Sequence, residues 1–230
     1  MERKKFISTT DAWNWDHGSE GKILVIKDGL YKRFNFNLSI AQRKRKEEIL
    51  LFLDKINELK KYYPEIRYIV DSILSLYIKG YVMQPIIGGS LNSDCYDIDE
   101  KLNALFQLKK ILSEFRKYDL YYFDIRRPNI KINNARNPIL LDIDGLIRKG
   151  EQMDATPYYI KEYIRNGGKL DKHAQILMFN RFTQMCFKYD ELRYDFEYDN
   201  EGKEIMTDYK RMDSAFDHEY LIDHIKRKIR

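Results

Sequence analysis

The sequence predicts an α+β chain: a small antiparallel sheet with one helix, followed by a mainly helical part built around a second β-hairpin. Three stretches carry that expectation. KILVI at 22–26 and LYKRF at 30–34 flank the turn Lys27-Asp28-Gly29 and read as paired strands. Residues 41–61, AQRKRKEEILLFLDKINELKK, put Ile49, Phe52, Leu53, Ile56 and Leu59 on one helical face with no Pro or Gly among them. Further on, IKI and PILLDI are separated by the polar turn NNARN. The chain has 230 residues, 43% hydrophobic and 14% aromatic. That is enough to bury a core in one domain or two small lobes, and too apolar for disorder.

Composition excludes several classes. No stretch approaches the about eighteen apolar residues of a membrane span, and MERKKF lacks an apolar targeting segment. Two cysteines, Cys95 and Cys186, fit a reducing cytoplasm better than a disulfide framework. His17, His173, His218 and His224 have no metal-ligand spacing with them. The formal charge is +5. RKRK at 43–46 and KRK at 226–228 lie among acidic residues and read as solvated helix faces, so no nucleic-acid partner is expected.

In chain order, the loop DHGSEG at 16–21 precedes the first strand. On the second strand Leu30, Lys32 and Phe34 share a face by period two. Lys32 is then either a charge between apolar neighbours that needs an anionic partner, or a solvent-facing edge lysine. Glu48 sits at the rim of the apolar face of the 41–61 helix. RYIVDSILSLYIKG and YVMQPIIGGSL read as two strands joined at Lys79-Gly80, completing the sheet. Residues 100–117 form a helix with Leu102, Leu105, Phe106, Leu108, Leu112 and Phe115 mostly inward, and the acidic run SDCYDIDE supplies its turn and cap. The second hairpin gathers Asp124, Asn129 and Asp142 near one end. Three short polar side chains there suggest a hard-cation site beside a phosphate or sugar. A helix over 169–187 follows, with Ile176, Phe179, Phe182 and Cys186 inward. FEYDNEGKEI then reads as a hairpin or exposed loop, and EYLIDHIKRKI as a terminal helix.

Asp124, four residues, Asn129, and then Asp142 thirteen residues on across a hairpin have the spacing of a kinase catalytic loop and metal loop. Here the chain resembles the protein kinase superfamily, in a compact, atypical Ser/Thr-kinase-like form. The resemblance implies two lobes: a nucleotide-binding lobe of sheet plus one helix over 1–87, and a mainly helical, shortened catalytic lobe over 88–230. It implies that Asp124 accepts the substrate hydroxyl proton, while Asn129 and Asp142 hold magnesium against the ATP phosphates. Arg126 stands where protein-directed kinases carry a γ-phosphate lysine. Lys32 resembles the lysine that grips the α- and β-phosphates, with Glu48, or alternatively Glu47, as its helix carboxylate. Gly18, Gly21 and Ile23 match the second half of the glycine-rich loop, with Asp16 at its first glycine. Met83 would border the adenine pocket. The Gln84 carbonyl and Ile86 amide would bond the adenine edge, with Pro85 falling where no N–H is spent.

Several positions depart from the family pattern. DID at 142–144 puts Asp144 at the glycine of the metal loop, where it could be an auxiliary ligand. Tyr122 and Phe123 replace the catalytic-loop histidine and arginine, so no cation stands there to clamp a phosphorylated loop. TPYYIKE at 156–162 resembles the end of an activation segment, with Glu162 as its structural glutamate. Asp171 resembles the buried aspartate that ties the catalytic-loop backbone, or is an ordinary N-terminal helix aspartate. The function expected from these readings is ATP- and magnesium-dependent phosphate transfer to a hydroxyl, of Ser/Thr on protein or of a small molecule. The rival reading is an inactive nucleotide-binding scaffold. A protein partner that completes the short second lobe is also expected.

Overall fold

The computed structural model describes residues 21–26, 29–35, 37–70, 78–91, 96–153, 160–186, 197–198 and 204–205. The chain divides into two compact units, Met1–Ile87 and Gly88–Arg230.

In the first unit, β1 (Gly21–Ile26) and β2 (Gly29–Phe34) form the hairpin expected from their alternation, with Ile23 opposite Lys32. The helix α1 (Ile40–Asp54) follows, then β3 (Ile66–Val70) and β4 (Ile78–Met83). The sheet is antiparallel throughout, in the order β1-β2-β4-β3. Helix α1 starts where Ser39 forms a capping box with Gln42: the Ser39 hydroxyl accepts from the Gln42 N–H at 3.2 Å, and the Gln42 side chain accepts from the Ser39 N–H at 2.8 Å. It ends earlier than the apolar pattern suggests. Ile56 takes an extended conformation (φ −108°, ψ 91°), and Asn57–Tyr62 continues as a 3-10 turn that still buries Leu59. Phe34, Tyr81, Leu50 and Leu53 are buried on the α1 side of the sheet, and Tyr31 is buried on the opposite face of β2. Two tyrosine hydroxyls reach the α1 backbone: Tyr63 donates to the Leu53 carbonyl at 3.2 Å and Tyr68 to that of Leu50 at 2.9 Å.

Lys79-Gly80 is not the junction between two strands. Both residues lie inside β4, which pairs with β2 on one side and β3 on the other, and a bulge falls at Ile69/Val70. Glycine is needed there because β4 crosses β2 closely: a Cβ at position 80 would collide with the Lys32 carbonyl oxygen. The signal was a close approach of backbones, not a turn.

In the second unit, β5 (Gly88–Gly89) precedes α2 (Ile98–Arg116). Asp97 caps α2 in a box with Glu100, at 2.8 and 3.1 Å. Leu102, Leu105, Leu108, Leu112 and Phe115 are buried as the period requires, but Phe106 faces solvent with the Lys110 ammonium over its ring at 4.4 Å. The short strand β6 (Leu120–Tyr121) leads into the loop that carries Asp124. β7 (Ile130–Asn133) and β8 (Pro138–Leu140) form the predicted hairpin, with β5 on the outer edge of β7. β9 (Ile147–Arg148) returns to pair with β6. Next come α3 (Lys161–Arg165), α4 (Lys172–Cys186), and a hairpin of β10 (Glu197–Tyr198) and β11 (Glu204–Ile205), in the segment expected to be a hairpin or loop. Helix α2 packs against β6, β8 and α4. The residues 219–229 read as a terminal helix lie outside the described residues. Among the described residues, no helix is long and apolar enough to cross a membrane.

Candidate functional site

The β6–β9 ladder and the β7–β8 hairpin fold the stretches 122–129 and 141–145 back against each other within the second unit. At the base of the hairpin the Leu141 N–H donates to the Asn129 carbonyl at 2.7 Å, so Asp142 follows directly from a residue bonded to Asn129. The Asn129 amide turns to Asp124. Its Nδ2 donates to the Asp124 carbonyl at 3.1 Å and to Asp124 Oδ2 at 2.6 Å. The other carboxylate oxygen, Oδ1, accepts from Arg126 Nε at 2.8 Å. Of the residues expected at this site, Asp124, Asn129 and Arg126 meet through their side chains, and Asp142 is next in sequence to Leu141, which bonds the Asn129 backbone.

Both amide hydrogens of Asn129 are committed to Asp124, so its Oδ1 is the atom left to accept. Asp142 takes the left-handed conformation (φ 48°, ψ 39°), which turns the chain sharply into the Ile143–Gly145 turn. Asp144 is fully buried. Among the described residues, no group of three or more His, Cys, Asp or Glu is arranged to hold a metal.

Tyr122 was noted only as a replacement, yet it organises this cluster. It is fully buried, and its hydroxyl donates to the Leu141 carbonyl at 2.9 Å. Burial, followed by the negative charge of Asp124, holds its phenol well above the ordinary tyrosine pKa, so it remains a donor. Leu141 is therefore gripped at both its N–H and its carbonyl. Behind Tyr122 stands Gln175 of α4, fully buried, whose Nε2 donates to the Tyr122 carbonyl at 3.2 Å. Gln175 Oε1 accepts from Arg116 Nη1, and Arg116 Nη2 donates to Ser113 Oγ at 2.6 Å. Asp171 does not tie the loop. It caps α4, accepting from the His173 and Ala174 N–H groups at 2.8 and 3.3 Å. Among the described residues Gln175 is one of four buried polar residues of α4, with Asn180, Arg181 and Thr183, so polarity within the helix did not single it out.

In the first unit Lys32 is buried on an interior strand, its ammonium 5.9 Å from the centroid of the Tyr81 ring, so it is not a solvent-facing edge lysine. Gly21 sits close to it: a Cβ there would lie 3.5 Å from Lys32 Cε and 2.8 Å from the Arg33 carbonyl oxygen. Glu48 does not meet Lys32. It lies on the solvent side of α1, 3.9 Å from Lys44. The reason is helical phase. The buried positions are Lys46, Ile49, Leu50 and Leu53, and Glu48 falls opposite them. Lys46 is buried, with its ammonium over the Phe34 ring at 5.8 Å, so the basic run is only partly a solvated face. Ile23 is half-buried on β1. Met83 is buried between Leu30 and Ile66, and the Gln84 N–H donates to the Glu65 carbonyl at 3.2 Å, which leaves Ile86 half-buried beyond the strand. Gly18, residues 156–159 and the Glu162 side chain lie outside the described residues.

No family model matches the chain, and no curated protein matches its sequence.

Proposed function

We propose that this chain is a two-lobed, kinase-like phosphotransferase that moves the γ-phosphate of magnesium-ATP to a hydroxyl, with Ser/Thr of a protein as the first acceptor to try and a small molecule as the second. One observation supports the reading: Asn129 bonds Asp124 with its side chain and the Leu141 N–H with its carbonyl, so the residues proposed as base and ligands belong to one hydrogen-bonded stretch at the hairpin end. Asp124 has two of its roughly four lone-pair sites engaged, so it can still accept from an acceptor hydroxyl. Asn129 and Asp142 would hold the magnesium, with Asp144 as an auxiliary ligand. Bound there, the ion would supply charge neutralisation on the phosphates. Arg126 fixes Asp124 and has a long, flat cation to offer a phosphoryl group. Lys32 is the cation proposed for the nucleotide phosphates.

A second reading has one observation in its favour. Glu48 lies 3.9 Å from Lys44 on the solvent side, whereas the transferase reading wanted it, or Glu47, on Lys32. That favours a nucleotide-binding scaffold without transfer. Radiolabelled magnesium-ATP with a generic protein acceptor separates the two. Transfer that falls at least a hundredfold in Asp124→Ala and Asp142→Ala supports the transferase. No transfer, with nucleotide binding lost in Lys32→Ala, supports the scaffold. Neither transfer nor binding would sink both.

A further inference from the structure

Gln175 of α4 is fully buried and hydrogen-bonds both Arg116 of α2 and the Tyr122 backbone of the candidate site. Its burial leaves no water to substitute for a lost bond, and its amide has only one workable orientation. Arginine is a donor only, so Oε1 must face Arg116 and Nε2 must face the Tyr122 carbonyl. Arg116 is itself fixed by Ser113 on the same helix. The fully buried Tyr122 then spans from this bond, at its main chain, to the Leu141 carbonyl, at its hydroxyl. Leu141 is the residue before Asp142, and its N–H holds Asn129. The result is a line of contacts from α2 through α4 and Tyr122 to the Leu141 backbone, which bonds the Asn129 carbonyl and immediately precedes Asp142.

We propose that Gln175 is a positioning residue: oriented by Arg116, it holds the Tyr122 backbone and, through the Tyr122 hydroxyl, sets where Leu141 presents Asp142 and Asn129. The purpose given to that placement rests on the phosphotransfer reading; the placement itself does not. Glutamine is specific to the task. Glutamate would keep the contact with Arg116 but set a carboxylate oxygen against the Tyr122 carbonyl, and leucine would abandon both partners. Asp171 lies one turn earlier on the same helix and caps it, so it is the built-in control.

Hydrogen–deuterium exchange on the full chain, read at the Leu141 and Asn129 amides, tests the placement, with magnesium-ATP turnover measured beside it. Gln175→Leu and Gln175→Glu should each speed exchange at Leu141 at least tenfold. Asp171→Ala frays the start of α4 but keeps both Gln175 side-chain bonds, so it should raise Leu141 exchange less than either Gln175 variant. Turnover per folded molecule, with the folded fraction taken from circular dichroism of the same samples, should lose at least tenfold in kcat with KM for ATP within twofold; the normalisation removes the loss that partial unfolding alone would produce. Gln175→Glu retains the Arg116 contact and keeps the test open if Gln175→Leu does not fold. Leu141 exchange within twofold of wild type in these variants overturns the proposal, as does unchanged kcat in an active enzyme whose Leu141 exchange has risen. A wild type with no turnover would fail the phosphotransfer reading instead, and the exchange result would still decide the placement.

Discussion

A single phenol carries much of the order at the candidate site. Tyr122→Phe keeps the buried ring and removes the donor to Leu141, so we expect a loss of about 1–2 kcal/mol in urea denaturation, because the carbonyl is left without its partner. An unchanged midpoint would mean that the hydroxyl is dispensable. Tyrosines also set the alkaline limit. Burial pushes Tyr63 up to about 12, and Tyr68 and Tyr122 are raised as well, while the unfolded phenols ionise near their ordinary value of 10.0. The unfolded state therefore loses protons first. The stabilisation is complete below pH 10 and drains away as pH climbs toward 12 and beyond. Denaturation midpoints measured between pH 8 and 12 should be level at first and then fall; a level profile throughout would contradict the burial of these groups.

Among the elements, both capping boxes stabilise helix starts whose first-turn N–H groups lack intrahelical partners. Asp97→Ala should cost about 1 kcal/mol and fray the first turn of α2, which circular dichroism and thermal unfolding would register. The elements written most plainly in the sequence were those set by periodicity and turn chemistry. The two hairpins, α2 with its apolar face, and the cap at Asp97 follow from side-chain spacing alone, as does the meeting of Asp124 with Asn129. What could not be read depended on partners distant in sequence. Gly80 looks like a turn until β2 is laid beside it. Glu48 looks like a pairing residue until the phase of α1 turns Lys46 inward instead. Gln175 gains meaning only when Tyr122, fifty-three residues earlier, arrives against it. Phe106 was misjudged for a related reason, since a lysine one turn on covers its ring in solvent.

At the scale of the whole molecule there are two units with separate buried cores, Met1–Ile87 and Gly88–Arg230. Leu50→Ala and Leu105→Ala each empty a fully buried site and should cost about 2–5 kcal/mol. Amide exchange should rise mainly in the unit that carries the change; an even rise across both would argue against separate cores. One feature of the first unit reaches further than its size suggests. The strand crossing at Gly80 works because a methyl group is missing above the Lys32 carbonyl. At the level of the gene, a glycine codon there tolerates any third base, but every missense change puts a carbon where that oxygen lies. Variation elsewhere in β4 can adjust side chains. Variation at this codon displaces the backbone of Lys32 itself, so a diversified library selected for folded, protease-resistant protein should return position 80 as glycine and only the spelling of its codon should drift.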